Sequence, residues 1–159
     1  MIQRVQTVYM LASVIAILTM HFFELATFLI PEATIKFNSL GLISLTPEFP
    51  KDEMNWLVFL LLVVMMALPL VTIFLYKNRK LQLHLLIYTA ILDVIYYGVY
   101  FWQVSAYSSA LSAESIGEAT TNLNYMMLAM PALSVFCLIM AMRGVIYDIA
   151  LLKSLDRLR

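Results

Sequence analysis

Asp93 is the residue with the clearest capacity for chemistry. It lies within LQLHLLIYTAILDVIYYGVYFWQV, residues 81–104, a stretch that holds no other charge. At a helical rise of about 1.5 Å per residue, the 12 residues from Leu81 to Asp93 carry it close to the midplane of a bilayer. A carboxylate there is costly, so it must face a protein interior, take a proton or find a partner. Thr89, Tyr96, Tyr97 and Tyr100 share or flank its helical face. Because helical side chains lean toward the amino end, Tyr96 or Tyr97 is placed to donate a hydrogen bond back to Asp93. Ser13 and Ser134 fall near the same depth in two other apolar stretches. The expected network is therefore Asp93, Tyr96, Tyr97, Ser13 and Ser134. Three uses are open to it: fixing helix register, contacting another membrane subunit, or coupling to a proton or ion in a small transporter or channel component. The last use lacks a second intramembrane charge and an inverted repeat.

Other chemistry is sparse. His21 and Glu24 are three residues apart, close enough to share a helical face, but a metal site needs further ligands, so they read as a polar boundary pair. The single cysteine, Cys137, permits neither an internal disulfide nor a cysteine-based metal site. No His-Glu-x-x-His, Gly-x-Ser-x-Gly or phosphate-cradling glycine loop is present. The expectation is a protein that is not an enzyme and has no metal or other cofactor. A net charge of zero also argues against a nucleic-acid partner.

The elements that position these residues follow from composition. Of 159 residues, 63% are hydrophobic and 13% charged, an imbalance that a soluble chain of this size lacks the polar sequence to cover. A lipid bilayer is the expected surrounding. A spanning helix takes about 20 apolar residues, and four stretches qualify. The predicted spans are about residues 5–29, 54–76, 81–104 and 122–143. The first runs from Val5 to Phe23 without a charge and on through LATFLI until Pro31; its length exceeds a signal-peptide core, so it reads as an uncleaved helix. Pro69 and Pro131 fall inside the second and fourth spans and read as packing features.

Orientation follows from the basic residues, which are retained in the cytoplasm. Arg4, Lys77, Arg79, Lys80, Arg143, Lys153, Arg157 and Arg159 fall on one side of the four spans, while only Lys36 and Lys51 fall on the other. Both termini and the inner loop 77–80 are thus predicted to be cytoplasmic. Trp56 and Trp102 at outer span ends, and Tyr9, Tyr76 and Tyr147 near inner ends, fit the headgroup preference of amphipathic rings.

The fold class expected is an all-α membrane domain, a bundle of four transmembrane helices. Outer loop 31–53 contains TIKFNSLGLISL, whose β-branched residues are interrupted at Asn38, Ser39 and Gly41, which predicts a small two-stranded ribbon. Outer loop 105–121 is rich in serine and alanine, with a short helix expected at 113–119. Residues 144–159 place Val145, Ile149, Leu152 and Leu155 at helical spacing, a cytoplasmic amphipathic helix.

Three segments, MIQRVQTVYMLA at the start, YKNRKLQ at residues 76–82 and KSLDRLR at the end, resemble a family of small integral membrane proteins of the Bacteroidota, domain of unknown function 4293. The resemblance covers the whole chain and implies a bacterial inner membrane. AMRGVIYDIALL, residues 141–152, departs from the family pattern by being more apolar, though Arg143 and Asp148 remain. All three motifs fall at the predicted cytoplasmic boundary. There Gln3, Arg4, Lys77, Arg79, Lys80, Asp156, Arg157 and Arg159 are expected to form a polar interaction platform, in which Asp148 or Asp156 pairs with Arg4, Arg79 or Arg157. The function expected is that of a non-catalytic accessory or structural subunit, in contact with lipid and with other integral membrane proteins.

Overall fold

A computed structural model of the chain describes residues 2–31, 33–45, 53–54, 56–76, 78–114 and 119–156, the side chains of residues 2–4, 53, 114, 155 and 156 excepted. In chain order the elements are α1 (Ile2–Phe22), β1 (Ala26–Ile30), β2 (Ala33–Asn38), β3 (Gly41–Ser44), β4 (Glu53–Met54), α2 (Trp56–Phe74), α3 (Arg79–Glu114), β5 (Thr120–Leu123) and α4 (Tyr125–Asp156). The molecule is mainly helical. Each helix packs on its neighbours in sequence, and α4 closes the ring against α1 in the most extensive contact of the bundle.

The segments Val5–Phe22, Trp56–Phe74, Arg79–Ala113 and Tyr125–Ser154 are each long and apolar enough to cross a membrane. Their outward surfaces remain apolar: Val8 and Ile15 on α1, Leu60 on α2, Val94 on α3 and Phe136 on α4 are all exposed. Polar side chains such as Ser13, Thr72, Asp93 and Ser134 are instead fully buried. Such an inside-out distribution suits a solvent of lipid tails, which satisfies no polar group.

The first predicted span is too long. Helix α1 stops at Phe22, and Ala26–Ile30, expected within the span to residue 29, forms strand β1. Ala26, Phe28 and Ile30 alternate inward with Thr27 and Leu29, a period that a sheet can bury on one face and a helix cannot. Pro31 follows the strand rather than a helix. The predicted ribbon is present as β2 and β3, joined through Ser39 and Leu40, with Asn38 opposite Gly41. Gly41 has φ of 133°, a conformation that a residue with a Cβ adopts only under strain. The ribbon is part of a larger antiparallel sheet of five strands in the order β4-β3-β2-β1-β5.

What buries the sheet is an overlong α3. Outer loop 105–121 is not a loop through most of its length, because α3 continues unbroken to Glu114. No proline interrupts the stretch, and Tyr100, Val104 and Leu111 recur at helical spacing to cover the inner face of the sheet. The ring of Tyr107 lies 5.4 Å from Phe37 and 6.5 Å from Phe28 between centroids. Of the short helix expected at 113–119, Ala113 and Glu114 end α3, Ala119 precedes β5, and residues 115–118 lie outside the described residues.

The fourth span begins later than residue 122, since Asn122 and Leu123 belong to β5. Asn124 then starts α4: its side-chain Oδ1 accepts the Met127 amide at 3.4 Å and its carbonyl the Leu128 amide at 2.9 Å. The helix predicted over 144–159 is the direct continuation of this span as far as Asp156. At the other end of the bundle Asn78 caps α3, with Oδ1 accepting the Leu81 amide at 3.3 Å.

Candidate functional site

One face of α3 organises the interior. Gln82, Leu86, Thr89, Asp93, Tyr96, Tyr100 and Gln103 recur at alternating steps of four and three, the spacing of a helix seam, and all seven are buried. From Gln82 to Gln103 the seam rises about 32 Å, the thickness of a hydrocarbon core. Six of its seven members carry a polar group. The seam meets partners from the other helices at two levels.

The first level lies halfway along the bundle. Ser13 on α1 and Ser134 on α4 share a hydrogen bond of 2.8 Å in which either hydroxyl can donate. Asp93 is 0% exposed and lies beside Ser134, yet neither of its carboxylate oxygens has a hydrogen-bond partner. Thr89 donates to the carbonyl of Leu85 at 2.8 Å, within its own helix. This polar layer divides the core. On the terminal side lie Met10, Leu86, Leu138, Ala141 and Val145; on the sheet side lie Ile17, Met20, Leu62, Met65, Tyr96 and the buried face of the sheet.

The tyrosines do not complete the expected network. Tyr97 is aimed at α4, where its hydroxyl donates to the Leu128 carbonyl at 2.7 Å. That carbonyl adjoins the one at Met127 that Pro131 leaves without its helical donor. Tyr96 points inward and stacks on Tyr100, with centroids 5.9 Å apart, and its hydroxyl is buried without a partner. Neither tyrosine bonds to Asp93. Tyr100 donates to the Leu25 carbonyl at 2.9 Å and so pins the turn between α1 and β1.

The second level ties the terminal end. Gln6 on α1 donates to Asp148 Oδ2 on α4 at 3.1 Å, and Arg79 at the start of α3 stands 3.5 Å from the same oxygen. Arg79 also donates to Gln82 Oε1 at 3.2 Å, and Gln82 Nε2 donates to the Thr72 carbonyl on α2 at 3.3 Å. All four helices are joined in one continuous chain of contacts. Gly144 makes room for it, since a Cβ at that position would lie 2.6 Å from Gln6 Cγ. Of the predicted platform, Arg79 is in this cluster and Lys80 is exposed. Gln3 and Arg4 occupy the first turn of α1 and Asp156 the last turn of α4, but their side chains, together with Lys77, Arg157 and Arg159, lie outside the described residues.

At the sheet end Glu24 pairs with Lys36 at 2.6 Å, whereas His21 packs edge-on against Phe59. The two thus have separate neighbours. Among the described residues no group of three or more His, Cys, Asp or Glu is arranged to hold a metal ion. Sequence reasoning missed Gln103 and the full extent of the seam, although the four-three spacing from Gln82 to Gln103 is readable in the chain. It also placed Gln6 at the boundary without assigning it a partner.

Fold and interior define a class: a four-helix bundle, apolar outside and crossed within by a buried polar seam, capped at one end by a sheet and compatible with a multi-pass membrane protein. The chain belongs to the family described as Domain of unknown function (DUF4293), whose model matches residues 2–158. No curated protein matches it.

Proposed function

We propose that this chain is a multi-pass protein of a bacterial inner membrane, with both termini cytoplasmic and the sheet outside, serving as a non-catalytic accessory or structural subunit of a larger membrane complex. The observation that carries this reading is the sheet. Its inner face is closed by α3, but its outward face leaves Leu29 and Ile43 uncovered, with exposed Leu45 beside them. The directly opposed pairs Leu29–Thr34 and Lys36–Ile43 put both apolar residues on that one face. Apolar groups gathered at the polar end of a membrane protein favour contact with another protein. The last turns of α4 repeat the pattern at the opposite end, where Leu151 and Leu152 are exposed beyond the four-helix tie. The orientation is supported by the excess of lysine and arginine at the terminal end.

The test is extraction of the tagged chain from its native membrane in a gentle detergent, followed by sizing and mass spectrometry. A stoichiometric membrane-protein companion is expected, lost in the Leu29→Glu/Ile43→Glu variant while the chain itself remains folded. A monodisperse chain without companions overturns the subunit reading.

A further inference from the structure

Three buried polar groups without hydrogen-bond partners lie on the α3 seam: both oxygens of Asp93, the Tyr96 hydroxyl and Gln103 Oε1. Tyr96 and Gln103 stand about 4.5 Å and 15 Å beyond Asp93 along the helix axis, both toward the sheet. Buried polar atoms of this kind ordinarily bond to something, water included. In the opposite direction the seam closes. The Thr89 hydroxyl gives its proton to the Leu85 carbonyl, and below it Met10, Leu86, Leu138, Ala141 and Val145 form an apolar layer that separates Asp93 from Gln82 and Asp148. The other unpartnered polar atoms of the seam thus lie on the sheet side of Asp93, spaced through the apolar cluster that includes Ile17, Met20, Leu62 and Met65.

We propose that Asp93 is a proton-binding site served from the sheet side, with Gln103 and Tyr96 guiding water to it and the Met10–Leu86–Leu138 layer sealing the terminal side. The step is a simple uptake: a proton arriving through water forms an O–H bond on one Asp93 oxygen, and the carboxylate becomes a neutral carboxylic acid. The serines accept either state. Toward the carboxylate Ser134 donates; toward the acid Ser134 accepts and turns its own proton to Ser13, a reversal that their mutual hydrogen bond allows. The groups tied to Asp93 are Ser134 from α4, itself bonded to Ser13 of α1, and Tyr97 from its own helix, while the buried residues of α2, Val58, Leu62, Met65, Pro69 and Thr72, include no titratable group. Among the described residues neither ion pair includes Asp93.

The experiment is infrared difference spectroscopy on the full chain in oriented liposomes, with pH changed on one side at a time. A carboxylic-acid carbonyl band is expected that follows the pH on the sheet side, is lost in Asp93→Asn and persists in Asp148→Asn. Where Asp93→Asn does not accumulate, Asp93→Glu is expected to shift the band instead. Leu86→Ser, which puts a hydroxyl into the apolar layer, is expected to let the band answer to both sides. A band untouched by substitution at Asp93, one that never changes with pH, or one that follows the terminal side overturns the proposal. It rests on the membrane placement proposed above. That placement is checked separately by labelling Thr120→Cys and Lys153→Cys in a Cys137→Ala background with an impermeant maleimide, where the same sidedness for both positions contradicts the placement itself.

Discussion

Gln6 and Asp148, 142 positions apart, meet in a hydrogen bond of 3.1 Å that joins the start of α1 to the last turns of α4. The same carboxylate oxygen faces Arg79, and both charged side chains are only about one-eighth exposed, at 12% and 13%. Removing one member of a pair so placed leaves the other's charge poorly solvated. Asp148→Leu is expected to cost about 2–3 kcal/mol, below the range for a fully buried pair because some water remains. Arg79→Met/Asp148→Leu is expected to cost less than Asp148→Leu alone, since no charge is then orphaned. Reversible unfolding in mixed micelles measures both, and a double variant worse than the single removes the ion pair from the account.

Gly144 is tested in the opposite sense, by adding volume. Its would-be Cβ lies 2.6 Å from Gln6 Cγ and 2.9 Å from Nε2, so Gly144→Ala must displace the glutamine from Asp148. The expected cost is about 1–3 kcal/mol, the usual penalty for overpacking. Truncating the glutamine relieves it: Gly144→Ala in a Gln6→Ala background is expected to cost a few tenths of a kcal/mol, because the two changes share one contact. Additive costs contradict this geometry.

The hydroxyls of Ser13 and Ser134 form a closed pair at 2.8 Å in the middle of the bundle. Hydrogen bonds between helices in a membrane contribute about 0.6 kcal/mol on average and up to about 1.7. Ser13→Ala and Ser134→Ala are each expected to destabilise by about 1 kcal/mol, and Ser134→Ala by more, because Asp93 lies beside Ser134. The double variant is expected to cost little beyond Ser134→Ala alone. Equal single effects that add in full reject the pairing.

How much of this was legible in the sequence depended on the kind of signal. The four apolar stretches could be read because lipid demands about 20 apolar residues in a row. Asp93, Ser13 and Ser134 could be brought to one depth by counting residues from the span ends. The end of α1 could not, because LATFLI is apolar enough for a span, and only its pairing with β2 and β5 makes it a strand. The length of α3 was hidden for a related reason. SAYSSALSA is polar like a loop, and what keeps it helical is the sheet packed on Tyr100, Val104 and Tyr107, a tertiary contact that local composition does not announce. The tyrosine assignment failed on geometry: spacing placed Tyr97 near Asp93, but a carbonyl on a neighbouring helix took its hydroxyl.

Asn124 gives the most local of the tests. Its Oδ1 caps α4 through the Met127 amide at 3.4 Å, while its Nδ2 donates to the Glu24 carbonyl at 2.9 Å and its own amide reaches the Leu25 carbonyl at 3.3 Å. One side chain therefore starts a helix and holds the turn that leads into β1. Asn124→Ala loses both side-chain bonds and is expected to cost about 1–2 kcal/mol, a typical cap plus a share of the second bond. Asn124→Ser keeps a capping oxygen and puts no second acceptor against the Glu24 carbonyl, so its cost is expected to be the smaller. The damage is also expected to be regional. Hydrogen exchange quickens at amides of β1 and β5, which depend on this anchor, while amides of α2 and of α3 around Asp93 keep their protection. Uniform loss of protection across the bundle would mean instead that sheet and helices open as one unit, and that Asn124 is no separate hinge between them.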